Sequence, residues 1–130
     1  MGVVSIDIII TNTGEVPIYQ QIVDQIKGAV LRGELRANEP LPSIRLLAKE
    51  LQISVITTKR AYEELEKEGL IYTIPGKGSF VAGLDKGELT ESKVKLMEEK
   101  LREVLGAAEL LGLSRTELRR IFERVLGDEK

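Results

Sequence analysis

Residues 43–69 read SIRLLAKELQISVITTKRAYEELEKEG, and the fold class turns on how this stretch divides. Ser43 is a good helix N-cap. It precedes a short predicted helix, Ile44 to Leu51, in which Leu47 and Leu51 stand four apart and Ala48 shares their face. Gln52-Ile53 makes a tight connection, with Ile53 pointing inward. Ser54 caps the next predicted helix, which runs to about Glu68 and stops at Gly69. Its inward face is Thr58, Ala61, Tyr62 and Leu65. Two helices joined by so short a turn are the layout of a helix-turn-helix.

Downstream, Leu70 to Ile74 and Ser79 to Ala82 are β-prone runs on either side of Pro75-Gly76-Lys77-Gly78. They predict a hairpin. A helix-turn-helix followed directly by a hairpin is a winged helix. Upstream, Pro17 suits the first position of a helix carrying Ile18, Ile22, Ile26 and Ala29/Val30 inward, with Gly33 as its stop. Leu35 to Pro42 is a loop or a short strand, since Pro40 and Pro42 forbid helix. Val3 to Thr11 is β-rich and predicts a strand with Ile6, Ile8 and Ile10 on one face; Asn12-Thr13-Gly14 closes it.

Beyond the hairpin, Gly83 to Gly87 reads as a linker. A long helix follows from Glu88 to about Leu111. Val94, Met97, Leu101, Val104, Ala108 and Leu111 recur at spacings of 3, 4, 3, 4 and 3, a coiled-coil-like seam. Gly112 ends it. Ser114-Arg115-Thr116-Glu117 is a capping box for a last helix with Leu118, Ile121, Phe122 and Val125 inward and Gly127 after it. The seam has two possible partners, the last helix of its own chain or a second copy. Two helices alone make a thin core, which favours the second copy.

The chain has 130 residues, with 42% hydrophobic and 31% charged. This is length for one domain, or one small domain plus an appendage. Neither Cys nor His occurs. Disulfides, cysteine nucleophiles, the usual zinc sites and Ser-His-Asp catalysis are therefore excluded. No metal and no cofactor are expected, and no enzyme. The carboxylates Glu63-Glu64, Glu66, Glu68 and Glu98-Glu99 lie beside Lys67, Lys95, Lys100 and Arg102, as on a solvated helix face. The net charge is −2, yet residues 17–82 hold nine Lys/Arg against eight Asp/Glu. No apolar stretch is long enough to span a membrane. The start, MGVVSIDIII, lacks the basic region and cleavage site of a signal peptide. A cytoplasmic location is the expectation.

A recognition helix presents its N-terminal turn to base edges in the major groove. Here that turn is Ser54, Val55, Ile56 and Thr57, followed by Lys59 and Arg60. Since the inward face is already assigned, Val55 and Ile56 point outward and suit thymine methyls. Ser54 and Thr57 suit phosphates or bases, and Lys59 a phosphate. Packing on the preceding helix or on a protein partner is the other use for Val55 and Ile56. Leu46 and Leu47 take the core in the helix before, which leaves Arg45 exposed in its first turn. An Arg there can fork onto a guanine or grip a phosphate. The hairpin tip at Gly76 and Lys77 can approach a groove or phosphate closely, because Gly adds no bulk.

These motifs together resemble the GntR family of bacterial transcription regulators. The resemblance rests on Pro17-Ile18-Tyr19-Gln20-Gln21-Ile22, Gly33-Glu34-Leu35 and Leu41-Pro42-Ser43-Ile44-Arg45-Leu46-Leu47-Ala48. It continues through Thr57-Thr58-Lys59-Arg60-Ala61-Tyr62-Glu63-Glu64-Leu65-Glu66-Lys67-Glu68-Gly69-Leu70-Ile71 and Gly76-Lys77-Gly78-Ser79-Phe80-Val81. Larger members carry an effector-binding or aminotransferase-like domain, for which this length has no room. The two-helix tail is similar to that of the short, YtrA-like branch. That likeness implies a homodimer whose tails pair, and control of neighbouring transporter operons. The resemblance places DNA contacts at Ser43, Arg45, Ser54, Ile56, Thr57, Lys59, Gly76 and Lys77. Many members carry a polar or basic residue where Val55 and Ile56 stand, so a thymine-directed readout is expected here.

The expected architecture is mainly α with a small β-wing. It comprises an N-terminal strand or arm over 1–16, a winged helix-turn-helix over 17–82 and a helical dimerisation tail over 83–130. The expected dimer interface is Val94, Met97, Leu101, Val104, Ala108, Leu111 and Phe122. The expected function is a sequence-specific regulator, a repressor, binding an inverted-repeat operator in double-stranded DNA as a homodimer. The alternative is a winged helix that binds protein and no DNA. No membrane partner is expected, and the residues identify no small-molecule effector.

Overall fold

The computed structural model describes residues 7–128. In chain order its elements are α1 (Ile18–Leu31), α2 (Ile44–Leu51), α3 (Val55–Lys67), β1 (Ile71–Ile74), β2 (Gly78–Val81), α4 (Lys86–Leu110) and α5 (Arg115–Asp128). The chain is mainly helical with one small antiparallel sheet, as the winged helix-turn-helix reading requires. Its contacts separate into two compact units that meet between Leu89 and Thr90.

In the first unit α3 is the central element, packed on α1 and on α2 and followed by β1. Ile22, Val23 and Ile26 of α1 and Leu47 of α2 close over Ala61, Tyr62 and Leu65 of α3. Leu35, Leu41, Leu70, Ile71 and Val81 complete the cluster. Each fully buried aliphatic side chain contributes about 1.5–3 kcal/mol, so this one core holds the unit together. Thr58 is also fully buried, and its hydroxyl donates to the Ser54 carbonyl at 3.1 Å, so no polar group is stranded. Lys27 Nζ reaches Glu68 Oε1 at 2.6 Å and ties α1 to the end of α3.

The two serine caps form as the sequence requires. Ser43 Oγ accepts from the Leu46 amide at 3.1 Å, and Ser54 Oγ from the Thr57 amide at 3.0 Å. Between the helices Gln52 takes the left-handed conformation, and the Ile53 amide donates to the Ala48 carbonyl at 3.0 Å. One face of α2 differs from expectation. Leu46 is 42% exposed and stays out of the core, because Leu47 and Ala48 already fill the contact with α3.

In the hairpin Tyr72 faces Phe80 and Thr73 faces Ser79. The two rings stack at 5.5 Å and the two hydroxyls bond at 2.9 Å. Pro75 and Gly76 are the central residues of the turn. Gly76 has φ +80°, and the Lys77 amide closes the turn onto the Ile74 carbonyl at 2.9 Å. The stretch before α2 resolves as a strand-like edge. Asn38 and Val81, Val81 and Glu39, and Leu41 and Ser79 exchange backbone bonds of 2.8–2.9 Å on the free side of β2.

The N-terminal strand is not formed where it is described. Its first residues, 3–6, lie outside the described residues, and 7–11 form an extended arm with no strand partner. Instead, two glutamine side chains of α1 act as rungs. Gln25 accepts from the Ile9 amide at 2.9 Å and donates to the Ile9 carbonyl at 2.7 Å. Gln21 does the same for Thr11, at 2.9 Å each way. The spacings match. Two extended residues advance about 6.6 Å, and four helical residues about 6 Å. Ile8 and Ile10 then face the core, and Ile9 faces solvent.

α4 begins at Lys86, two residues before expectation. Asp85 and Glu88 form a capping box, with the Glu88 amide donating to Asp85 Oδ1 at 2.8 Å and the Asp85 amide to Glu88 Oε1 at 3.3 Å. The end of the expected linker is thus a helix start. The Ser114–Glu117 box forms, with the Ser114 amide donating to Glu117 Oε1 at 3.0 Å and the Glu117 amide to Ser114 Oγ at 3.1 Å. Hydrogen bonding from the Ser114 backbone, then its side chain, holds the Glu117 carboxyl below its ordinary pKa. α5 runs through Gly127 to Asp128, and does not stop before Gly127.

In the second unit α4 and α5 touch each other sparsely. Ala108 is the one buried residue of the two helices among those described. Val94, Met97, Leu101, Val104 and Leu111 of the seam are exposed, as are Ile121, Phe122 and Val125 of α5; Leu118 is half-buried. The expected inward face of the last helix therefore finds no core in its own chain. Leu101, Val104, Leu105, Leu118 and Phe122 line an open groove of about 320 Å³ instead.

The amide clamp generates the first prediction. Gln25→Leu keeps the bulk and removes both bonds to Ile9. Hydrogen exchange at the Ile9 amide should accelerate, with a stability loss of about 1 kcal/mol. Unchanged protection at Ile9 would show that the clamp does not operate in solution.

Candidate nucleic-acid interface

Two helix N-termini and a hairpin tip carry the residues singled out by the sequence. The link between the helices is Tyr62. Its phenol, buried inside α3, donates to the Pro42 carbonyl at 2.7 Å. Pro42 immediately precedes the Ser43 cap, so the bond sets where α2 begins relative to α3. Burial pushes the Tyr62 phenol well above its ordinary pKa, and the nearby Glu50 charge adds to the shift.

The first turn of α3 is open. Ile56 is 80% exposed and Val55 46% exposed, so neither packs into the unit. Ser54 donates its hydroxyl proton to Thr57 Oγ1 at 2.8 Å while accepting from the Thr57 amide. The two hydroxyls expected to reach outward are thus first bound to each other. Ser54 acts as the cap. Thr57 keeps its own hydroxyl proton for a ligand acceptor. Lys59 is exposed on the same helix.

In α2, Ser43 and Arg45 are both exposed. Ser43 accepts from Leu46, which leaves its hydroxyl proton free to donate. Gly76 and Lys77 are exposed at the hairpin tip, where the glycine's positive φ lets the chain reverse in three residues.

Charge pairing divides the first unit. Lys27 and Arg32 pair with Glu68 and Glu34. Among the described residues, none of the cations of α2, α3 and the hairpin forms an ion pair: Arg45, Lys49, Lys59, Arg60, Lys67 and Lys77. An unpaired cation keeps its full field for an external anion.

Sequence reasoning gave Arg60 no role. Its guanidinium lies over the ring of Tyr19, 3.7 Å from the centroid. The partners are 41 positions apart (60 against 19), and no local pattern announces such a pair. No cluster of metal-ligating side chains occurs among the described residues, and none of their helices is long and apolar enough to cross a membrane.

Residues 18–81 match the family described as bacterial regulatory proteins, gntR family. The chain is similar to the HTH-type transcriptional repressor YtrA of Bacillus subtilis (strain 168), with 33% identity over 114 residues, 88% of each chain. Its fold is similar to that of a transcriptional antiterminator from Listeria monocytogenes EGD-e. There the TM-score is 0.72 and the identity 32%, over 95% of this chain and 93% of the other. It is also similar to the DNA-binding domain of AraR in complex with operator ORE1. That match has TM-score 0.50 and 25% identity, over 58% of this chain and 93% of the other.

The Tyr62 bond generates a prediction. Tyr62→Phe leaves the buried Pro42 carbonyl unpaired and should cost about 1–3 kcal/mol. The phenol's folded pKa lies above its unfolded value of about 10. The stability tied to it is therefore intact below pH 10 and is lost as the pH rises beyond. Urea titrations of both proteins across that range should show the loss in the wild type and a flatter profile in Tyr62→Phe. Parallel profiles would contradict it.

Proposed function

Because the chain belongs to the gntR family of bacterial regulatory proteins, we propose that it is a DNA-binding transcriptional regulator whose α3 reads the major groove. The observation that carries this reading is the open first turn of α3, flanked by cations that no carboxylate of the described residues neutralises. A similar domain that binds an operator supports it. The unpaired cations favour DNA over a protein partner, since exposed Val55 and Ile56 alone suit either.

In this reading phosphate contacts from Ser43, Lys59, Lys77 and the Gly76 backbone supply most of the affinity. Arg45 and the turn Ser54 to Thr57 supply most of the discrimination. Ile56, with Val55 beside it, meets thymine methyls. The 130 residues divide in function into an arm over 1–16, a reader over 17–82 and a dimerisation tail over 83–130. The apolar faces of α4 and α5 close against a second copy through Val94, Met97, Leu101, Val104, Leu111 and Phe122; Ala108, expected in that interface, is already covered within its own chain. A two-fold dimer sets two reading helices about 34 Å apart, which calls for an inverted-repeat operator. Repression is the direction of control, as the name of the Bacillus relative suggests. The protein works in the cytoplasm and performs no catalysis.

Fluorescence anisotropy with a duplex from the gene's own upstream region, beside a scrambled duplex, tests the whole reading. Tight binding to the native duplex with two chains per site is expected. Arg45→Ala should weaken it at least about 10-fold. Equal, weak binding to both duplexes would favour the protein-interaction alternative. Ile56→Ala should flatten discrimination among operator variants at A·T positions; unchanged discrimination would sink the methyl readout. Leu101→Glu with Val104→Glu should convert the particle from two chains to one by sedimentation velocity, and a persistent dimer would move the interface elsewhere.

A further inference from the structure

The stacked pair Arg60–Tyr19 lies outside the residues assigned so far. We infer that Arg60, held on the Tyr19 ring, is a DNA-phosphate anchor on the flank of the reading helix. This rests on the DNA-binding reading above.

Position comes first. Arg60 follows Ile56 by four residues and Thr57 by three, so it lies one turn further along the same outward face of α3. Base edges are met by the first turn, and residues further along and to the side of a reading helix meet the backbone. The stack draws Arg60 towards α1, to the side of the helix, since Tyr19 is the second residue of α1.

Chemistry comes second. A guanidinium 3.7 Å above an aromatic centroid has its face occupied. Its N–H donors lie around the edge of the plane, and they form the fork that suits phosphate oxygens. Among the described residues no carboxylate pairs with it, although Glu63 and Glu64 follow it at helical spacing. Stacking also fixes a long side chain before the ligand arrives, which reduces the entropy lost on binding. Tyr19 is half-buried and packs against the core, so the platform is itself held. On the Tyr19 side, the first turn of α1 has no acidic residue, and Pro17 supplies no side-chain cap.

The test is the salt dependence of binding for the full chain, on the native and scrambled duplexes. Arg60→Gln should lower the slope of log K against log salt by about 0.9, the value of one phosphate. At 0.15 M salt that slope corresponds to about fivefold weaker binding. The factor should be the same on both duplexes. Tyr19→Leu should weaken both duplexes less than Arg60→Gln does, with the slope kept. Tyr19→Phe retains the ring face and should match the wild type. Circular dichroism checks that each variant folds. If wild type binds and Arg60→Gln keeps its slope and affinity, the anchor is wrong. If Arg60→Gln changes the ratio between duplexes, Arg60 touches a base and the phosphate assignment is wrong. If wild type prefers neither duplex and shows no salt dependence, the DNA-binding reading fails first and takes the anchor with it.

Discussion

The hydrogen bond from Tyr62 to the Pro42 carbonyl joins the middle of α3 to the residue before the cap of α2, in the interior of the unit. Around it the inner face of α3 is closed: Thr58, Ala61, Tyr62 and Leu65 have almost no exposed surface. Sliding α3 by even one residue would pull the phenol from its acceptor and strand a buried carbonyl. Packing alone is tolerant of small shifts, whereas a short, directional bond is not. The relative placement of the two serine-capped N-termini follows from this constraint. Since both caps are satisfied within their own first turns, the outward residues there are free of structural duty.

Electrostatics explains how a chain of net charge −2 offers a face to a polyanion. The charge that matters is local and unneutralised. Cations in the first unit that serve the fold, such as Lys27, are paired to carboxylates. Those on α2, α3 and the hairpin are not paired among the described residues. With screening over about 8 Å at physiological salt, the acidic residues of distant helix faces have little effect on such a patch. The fold thus separates paired charges from unpaired ones.

Much of this was legible in the sequence because it is local. Ser43, Ser54, Gly69 and the Ser114–Glu117 box each act within one helical turn, and the helices begin or end beside them. The inward faces of α1 and α3 follow from period alone. Local signals also misled. Gly83 and Gly87 suggested a linker and hid the Asp85–Glu88 box that straddles Gly87. Gly127 suggested a stop, yet α5 continues through it. Leu46 stands beside core residues in sequence and outside the core in space. What sequence does not encode locally was missed altogether. The Arg60–Tyr19 stack and the glutamine clamps join residues 10 to 41 positions apart.

The glutamine clamps have a consequence for how this chain can vary. A peptide group presents the same donor and acceptor whatever side chain it carries, and each clamp rests on those groups; the Thr11 hydroxyl adds one longer bond, 3.5 Å, to Gln21 Oε1. Positions 9 and 11 of the arm can therefore drift through many residue types, proline excepted, without loosening their attachment. The specificity resides in α1, where even glutamate, similar in shape, would lose the donor half of each clamp. Here a half-buried polar pair on a helix is the demanding feature, and the apolar-looking arm it holds is the permissive one. An inventory that ranks importance by hydrophobicity would order them the other way.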